Sequence, residues 1–513
     1  MVDRPIDKEF NTEQTTGRIS TTFLEDLIST HSKKIAPRYR KYQRLYENKH
    51  KIQNKKSTDE NKPNNRISND FFGQIIDNTV GYFLGNPIIL TYTEPEKKKS
   101  LVERDPNDVG VDLTQLKDTA VQDELDKICV DNEKDDLFME WGKEAMIKGL
   151  SHILVYQNEE SKTKFMRLSP EDVILVYKNS STKELQYAIR LYDIDTEDTD
   201  TTTHYAEVYD ATGYDIFKST DGVGIKGRRE ASGYSFADRK PHIYGRIPVV
   251  TLYNNEERMS DLERIESLVN DYDKVLSDIS DEFSVFRSAY LMLKNMVVGK
   301  ENIADLKAEG ILEVMENGDA KFVTKQIQTE ALENHLNRLE KNIYKFSQVP
   351  DLSDENFAGN LSGVAIRFKL FGLETKCIIK ERKMTTAIKD LFRVITAPLR
   401  VLTGHNVDVI NLEEPKFTRN VPNNITELVD TVTKLEGKVD KETLLALLPF
   451  IDNPKEVLEK LKKEAEEAKK SSDPYSPQNV QADSENLFPN LNAQNASQGG
   501  FSVGEDTDTT QAE

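Results

Sequence analysis

The sequence predicts an α+β subunit in which long amphipathic helices flank a β-rich middle segment. Three observations predict it. Residues 261–290 carry an unbroken apolar stripe, Leu262, Ile265, Val269, Tyr272, Leu276, Ile279, Phe283, Phe286 and Tyr290, in steps of three and four. Residues 330–400 repeat that stepping in two further helices. Between 152 and 250 the pattern changes to short runs rich in β-branched and aromatic residues, HILVYQ, VILVYKN, YAIRLYDI and HYAEVYDA, split by turn residues.

The bulk numbers set bounds. At 513 residues the chain has room for about two to four domains. A net charge of −20, with 31% charged and 37% apolar residues, puts a large share of the chain in water. Cys129 and Cys377 cannot build a disulfide framework; they show no zinc-type spacing and suit a reducing interior. No charged and then apolar leader follows Met1.

Taken in order, the first 60 residues are polar. Lys33, Lys34, Arg38, Arg40, Lys41, Arg44, Lys49, Lys51, Lys55 and Lys56 are opposed only by Glu47, and Tyr39, Tyr42, Leu45 and Tyr46 interleave. Two readings stand: a solvated helix face whose tyrosines pack on a core, or a surface for nucleic acid or a partner. FFGQIIDNTVGYFLGNPIIL, 71–90, is the nearest thing to a membrane segment, but Gln74, Asp77, Asn78 and Asn86 make spanning costly. An amphipathic helix fits better, with Phe72, Ile75, Ile76, Val80 and Phe83 on one face and Gly85-Asn86-Pro87 as its stop. Residues 110–150 read helical, marked by Leu125, Ile128, Cys129, Leu137, Trp141 and Met146. The runs from 152 to 250 then form an antiparallel β subdomain with a polar loop at 195–203.

The striped helix at 261–290 is acidic: between 256 and 282 its only cations are Arg258, Arg264 and Lys274. Shorter elements follow, NMVVGK, a helical turn near 304–309, and a strand pair ILEVME and AKFVTKQ joined through Asn317-Gly318, a strong hairpin signal. Leu332, Leu336, Leu339, Ile343 and Phe346 mark a second helix that ends at Pro350. A polar loop comes next. After it a helix runs from Ser362 towards Ala397, near Pro398, about 50 Å at 1.5 Å per residue. Leu370, Leu373, Cys377, Met384, Ile388, Leu391 and Ile395 form its stripe, and basic residues outnumber acids along it. Helices are expected at 425–448 and 454–470, the latter opened by Asn453-Pro454 with Glu456. No lysine or arginine occurs after Lys470, and residues 471–513 have a disorder-type composition.

Catalytic motifs are missing. Gly222, Gly224 and Gly227 match GxGxxG, but RREASGYSF follows, which is no helix start for a pyrophosphate. There is no GxxxxGK[ST], no HExxH and no GxSxG. Asp193, Asp195 and Glu197 open like a calcium loop, yet Asp198 and His204 stand where glycine and glutamate are needed. No cofactor and no metal is expected, and an enzyme reading has no residues to rest on.

Five segments in this order resemble phage portal proteins, the head-to-tail connectors, and in particular those of long-tailed phages of Gram-positive bacteria. They are NNRISNDFFGQIIDNTVGYFLGNPI (64–88), GRIPVVTLYNNEE (245–257), the acidic striped helix, NLSGVAIRFKLFGLETK (360–376) and VDKETLLALLPFIDNPKEVLEKL (439–461). The resemblance implies a portal-type subunit: an N-terminal wing over 1–259, β-rich from about 151; stem helices at 260–291 and 330–349; a small α/β clip at 292–329. It also implies a tunnel loop at 350–361, a long wing helix and return at 362–422, and a helical crown at 423–470. The acidic tail, 471–513, lies outside it.

It further implies a non-enzymatic homo-oligomeric ring, usually of about twelve copies, at one capsid vertex. Double-stranded DNA would pass through it during packaging and ejection. The implied partners are the terminase large subunit, head-completion proteins, scaffold and major capsid protein. Assembly in the host cytoplasm, location in the virion and no membrane contact follow from the same likeness. The implied tunnel-loop residues are Asp351, Ser353, Asp354, Glu355, Asn356, Gly359 and Asn360, and the implied clip contacts are Lys300, Lys307, Glu313, Glu316, Asn317 and Lys321.

A DNA conduit should not grip its cargo, because each phosphate neutralised by a cation adds salt-dependent affinity. The expectation is that Asp261, Glu263, Glu266, Asp271, Asp273 and Asp278 on the first stem helix repel the duplex, multiplied by ring symmetry. Lys376, Lys380 and Lys383 are then expected to face solvent or to pair with acids of a neighbouring copy. The competing reading is a coiled-coil adaptor with no channel, which leaves the β subdomain unexplained.

Overall fold

The structure, a computed structural model, describes residues 10–12, 18–57, 63–91, 124–178, 184–196, 201–220, 233–286, 290–294, 319–323, 329–352, 363–403, 414–420, 432–446, 451, 457–458 and 460–463. The expected polar loop at 353–360, the sequence 295–318 with its Asn-Gly turn, the GxGxxG glycines and the tail after Lys470 lie outside the described residues. The chain divides into two units, 1–421 and 422–513.

In the first unit, α1 (Thr21–Thr30) runs through a wide π-turn into α2 (Ala36–Tyr46), and α3 spans Phe71–Leu84. Ser20 and Asp70 cap α1 and α3 by accepting from the amides of Phe23 and Gly73. The strand β1 (Phe10–Thr12) precedes them, and α4 (Lys134–Lys148) follows. Eight strands come next: β2 (Leu150–Gln157), β3 (Thr163–Leu168), β4 (Val173–Lys178), β5 (Leu185–Thr196), β6 (Thr201–Tyr209), β7 (Gly213–Thr220), β8 (Ser235–Pro241) and β9 (Val249–Tyr253). Then follow α5 (Glu266–Phe286), β10 (Tyr290–Lys294), β11 (Asp319–Val323), α6 (Thr329–Ser347) and the 41-residue α7 (Gly363–Thr403). The mixture of helices and mainly antiparallel strands is α+β.

Strands β1 to β9 form two sheets. One has the order β1-β4-β5-β6-β7-β8 and the other β3-β2-β9. Successive side chains of β5 join clusters on opposite faces of the sheet. Ile189 and Leu191 face a cluster with Leu24, Leu27 and Ile28 of α1, while Ala188 joins Leu154, Leu168 and Val249 of the smaller sheet. Among the described residues β1 alone breaks the antiparallel rule, pairing parallel to β4. Of the calcium-like stretch, 193–196 and 201–204 pair in the β5–β6 ladder, where His204 Nδ1 and Asp193 Oδ1 are 2.8 Å apart.

The main core gathers α3, α4, β2, β9, the first turns of α5, the end of α6 and the buried face of α7. The whole expected stripe of α7, from Leu370 to Ile395, is buried. The helix continues past Pro398 to Thr403. The face of α3 is buried as well, and no described helix is long and apolar enough to cross a membrane.

Two expectations change. The stripe at 261–290 does not form one helix. Residues 261–265 make tight turns, Ile265 bonding back to Leu262, before α5 starts at Glu266. The far end stops at Phe286, and Tyr290 belongs to β10, which pairs antiparallel with β11. Tyr290 holds a stripe position by spacing alone, and a β-rich run, YLML, takes it into a ladder. The strand at 319–323 therefore has 290–294 as a ladder partner, where the sequence suggested 311–316. In the second unit Val432, Leu444 and Leu445 form a small cluster, with α8 at Lys441–Ala446.

Candidate functional site

The sequence singled out the acids at the start of the striped helix, and the structure shows what they touch. Asp261 is buried. Its carboxylate lies 2.9 Å from Lys376 Nζ and 2.8 Å from Lys380 Nζ, both on α7, and accepts from Asn254 Nδ2 at 2.8 Å. Burial alone would push this carboxyl pKa up. The two ammonium groups outweigh that and hold it well below the usual range. Lys380 is buried too, and its pKa is lowered by burial against the pull of Asp261. Lys376 Nζ also donates to the Ser347 carbonyl at the end of α6, at 3.3 Å. One cluster thus ties the root of α5, the end of α6 and the middle of α7.

Gly149 makes room for it. It ends α4 at φ +96, and a Cβ there would sit 2.4 Å from the Arg258 carbonyl oxygen. Its own carbonyl accepts from the Asn254 amide at 3.0 Å, which sets the loop that carries Asn254.

Further along α5 the acids meet the N-terminal basic run. Glu263 pairs with Arg38 at 3.1 Å, and Glu266 with Lys41 at 2.5 Å and Lys51 at 3.4 Å. Asp273 is buried against His50 at 2.6 Å. Lys55 spans Asp278 at 2.8 Å and Asp281 at 2.7 Å. The tyrosines of that run pack inward, Tyr39 and Tyr42 being buried.

A second match was hidden in the sequence. Residues 65–69 lie extended beside α5. The amides of Asn65, Ile67 and Asn69 donate to Asp281, Ser277 and Asp273 at 2.6, 3.0 and 2.9 Å. Two extended residues advance about 6.6 Å and four helical ones about 6.0 Å, so alternate amides meet every fourth side chain. The signal was present: Asp273, Ser277 and Asp281 stand at i, i+4 and i+8, beside the apolar stripe.

All six singled-out acids meet lysine, arginine or histidine of the same chain, Asp261, Glu263, Glu266, Asp273 and Asp278 within 3.1 Å and Asp271 at longer range. Asp271 sits half-exposed, 3.6 Å from His335 of α6. The three lysines expected to face solvent or a neighbouring copy also pair at home: Lys376 and Lys380 with Asp261, and Lys383 with the exposed Glu256. In the sequence the run shows a charge surplus because its partners stand more than a hundred residues away. Of the loop residues, Asp351 is described. It is half-buried and, with burial, pushes the Glu340 carboxyl of α6 up. Ser353, Asp354, Glu355, Asn356, Gly359 and Asn360 lie outside the described residues, as do Lys300, Lys307, Glu313, Glu316 and Asn317; Lys321 lies on β11.

The α5–α6 pair is wedged at its root by Phe71 of α3, whose ring meets Tyr272 edge-on at 5.1 Å and Tyr344 at 6.0 Å. Along α5 the stripe then emerges: Leu262, Ile265 and Val269 are buried, Leu276 and Ile279 half-buried, and Phe283 is 51% exposed. On the far side of α7, Arg419 grips Glu374 with two bonds of 2.9 and 3.0 Å and reaches Glu381 at 2.6 Å.

A family model described as phage portal protein, SPP1 Gp6-like, matches residues 25–471, a span that includes every one of these contacts. The chain belongs to this portal family. The portal protein of Bacillus phage SPP1 is 26% identical over 471 residues, 86% of each chain. The portal protein of Clostridium phage phiCD119 is 26% identical over 444 residues, covering 83% of this chain and 90% of its own. The portal match ends where the cation-free tail begins, at Ser471.

Proposed function

We propose that copies of this chain close into a ring of about twelve at one vertex of a phage capsid and form the channel for double-stranded DNA during packaging and ejection. The observation that carries this reading, beyond family membership, is the α5–α6 pair. Its root is locked into the chain's own core and its apolar stripe runs out into solvent, ending at Phe283. A stripe half-covered within one chain calls for neighbours.

In this reading α5 and α6 are the stem, 292–329 is the clip, 350–361 the tunnel loop, 423–470 the crown, and the sheets and α1–α4 the wing. The clip docks the terminase large subunit and later the head-completion proteins, through Lys300, Lys307, Glu313, Glu316, Asn317 and Lys321. Scaffold and major capsid protein meet the outside of the ring during assembly in the host cytoplasm. The ring itself performs no catalysis.

The acids divide by role. Asp261, Glu263, Glu266 and Asp273 anchor the stem to the wing. Asp271 and Asp278, with side chains 49% and 51% exposed, are the ones that repel phosphate at the wall. Asp351, Ser353, Asp354, Glu355, Asn356, Gly359 and Asn360 make the weak, movable contact with the duplex. The Lys376–Asp261 pair and the Lys376 bond to Ser347 hold the loop's two flanking helices together, so a push on the loop reaches the stem.

Native mass spectrometry with negative-stain imaging tests the reading. A closed ring of about twelve chains of 58.5 kDa, roughly 700 kDa with a central hole, is the expected result. A stable dimer or trimer without a hole would overturn it and favour a coiled-coil adaptor.

A further inference from the structure

The basic run is only partly consumed by the stem. Arg38, Lys41, Lys51 and Lys55 turn to α5. Lys33, Lys34, Arg40 and Arg44 do not. All four are exposed, and among the described residues none has an ion-pair partner. Glu263 and Glu266 at the root of the stem are already matched by Arg38 and Lys41.

Their placement follows from local structure. Between α1 and α2 the helix widens into a π-turn, His31–Ile35, where the amide of Ala36 bonds to the His31 carbonyl. Pro37 accounts for it: proline lacks the N–H and crowds the carbonyl four residues earlier, here that of Lys33. His31, Ile35, Ala36, Tyr39, Tyr42 and Leu45 face the core. The wide turn brings Lys33 round to the outer face, in line with Pro37, Arg40 and Arg44. At about 1.5 Å per residue the cations from Lys33 to Arg44 span about 16 Å.

No large apolar side chain is exposed anywhere between residues 18 and 57. A protein-docking patch centres on aromatic or aliphatic anchors, and this face has none. A phosphate backbone needs only fixed cations along its path, and duplex DNA offers one negative charge per about 1.7 Å of axis. We infer that the outer face of residues 31–46 is a sequence-independent binding surface for the phosphate backbone of double-stranded DNA, separate from the channel. The inference rests on the proposed function only in taking duplex DNA as the molecule at hand. Repeated around a ring, the face makes a basic belt on an otherwise acidic particle.

The test uses the full chain and covalently closed circular duplex DNA, which cannot thread a closed ring. Affinity is measured by gel retardation across a salt series. The unsubstituted protein is expected to bind, and the variant Lys33→Gln, Arg40→Gln, Arg44→Gln to lose about 2.7 from the slope of log affinity against log salt, from three contacts at about 0.9 each. Arg40→Gln alone should lose about 0.9, a readout that stands if the triple variant fails to fold. The charge-matched control Lys218→Gln, Lys240→Gln, Arg246→Gln should keep the slope, and so should the charge-keeping variant Lys33→Arg, Arg40→Lys, Arg44→Lys. Three outcomes would overturn the proposal: no binding of circular DNA by the unsubstituted protein, an unchanged slope in the triple variant, or loss of the ring in that variant with DNA binding retained. The last would assign the face to a contact between copies. Failure of the portal reading itself shows separately, as a dimer or trimer mass for the unsubstituted protein.

Discussion

Compare the two ends of α5. At the root, Leu262, Ile265 and Val269 are buried and Asp261 is enclosed by two lysines. Fourteen residues beyond Val269, Phe283 is half in water, and Asp278 shares Lys55 with Asp281 at the surface. The apolar stepping is the same throughout. What differs is what the rest of the chain brings to each end: the β9–α5 loop, α7 and α3 at the root, and at the tip the extended residues 65–67 and Lys55. Periodicity tells which side of a helix wants cover. It does not tell which chain supplies it.

Charge removal should split the two ends most widely. Asp261→Ala leaves Lys376 and Lys380 buried without their counter-charge and is expected to cost about 3–5 kcal/mol. Asp278→Ala at the exposed tip should cost under about 1 kcal/mol. Urea unfolding of the isolated chain reads both, and equal shifts would break the contrast. Core truncation should divide them next. Ile265→Ala is expected to cost about 2–5 kcal/mol whether or not the ring has formed. Ile279→Ala should be mild in the isolated chain and more costly in the assembled ring, which melting at low and high protein concentration can separate.

Acid should loosen the root before the tip, because the lowered Asp281 carboxyl at the tip loses its stabilisation only below its unfolded pKa of about 4. His152, fully buried on β2 opposite Thr251 of β9, has its pKa lowered to about 3 by burial, against the pull of Glu144. A folded pKa below the unfolded value of about 6.5 means its stabilisation is complete above that pH. It is lost as pH falls towards about 3, by up to about 1.4 kcal/mol per unit. The low pKa of Asp261 places its own loss lower, below about pH 4. His152→Asn should therefore flatten the profile between pH 6 and 4; the difference between the two profiles separates it from His242, which burial also lowers.

Much of the helical frame was legible. The stripe of α7 was read residue by residue, because one buried face at period 3.6 leaves an unmistakable trace. Strands β2, β4, β5 and β6 were legible through their β-branched and aromatic runs. Three things were not. β1 is a three-residue strand in a polar segment, and its parallel partner lies more than 160 residues on. Tyr290 kept helical spacing by coincidence. The partners of Asp261, Glu263 and Asp273 come from distant segments, so a list of acids looked like a repulsive wall when most of it is mortar. Charge can be counted from sequence, but compensation depends on the fold.

The outer strand of the larger sheet has a further meaning. β8 carries Asp238, Arg239, Lys240 and Pro241, every residue of it is exposed, and its pairing with β7 shifts register at Ile216/Phe217. Charges, a proline and a bulge are what discourage strand-to-strand addition at an open edge. A protein made to crowd beside identical copies runs a standing risk of polymerising through such edges into fibres. At this edge that route is blunted, and a ring that closes on itself leaves no open end from which a fibre could grow.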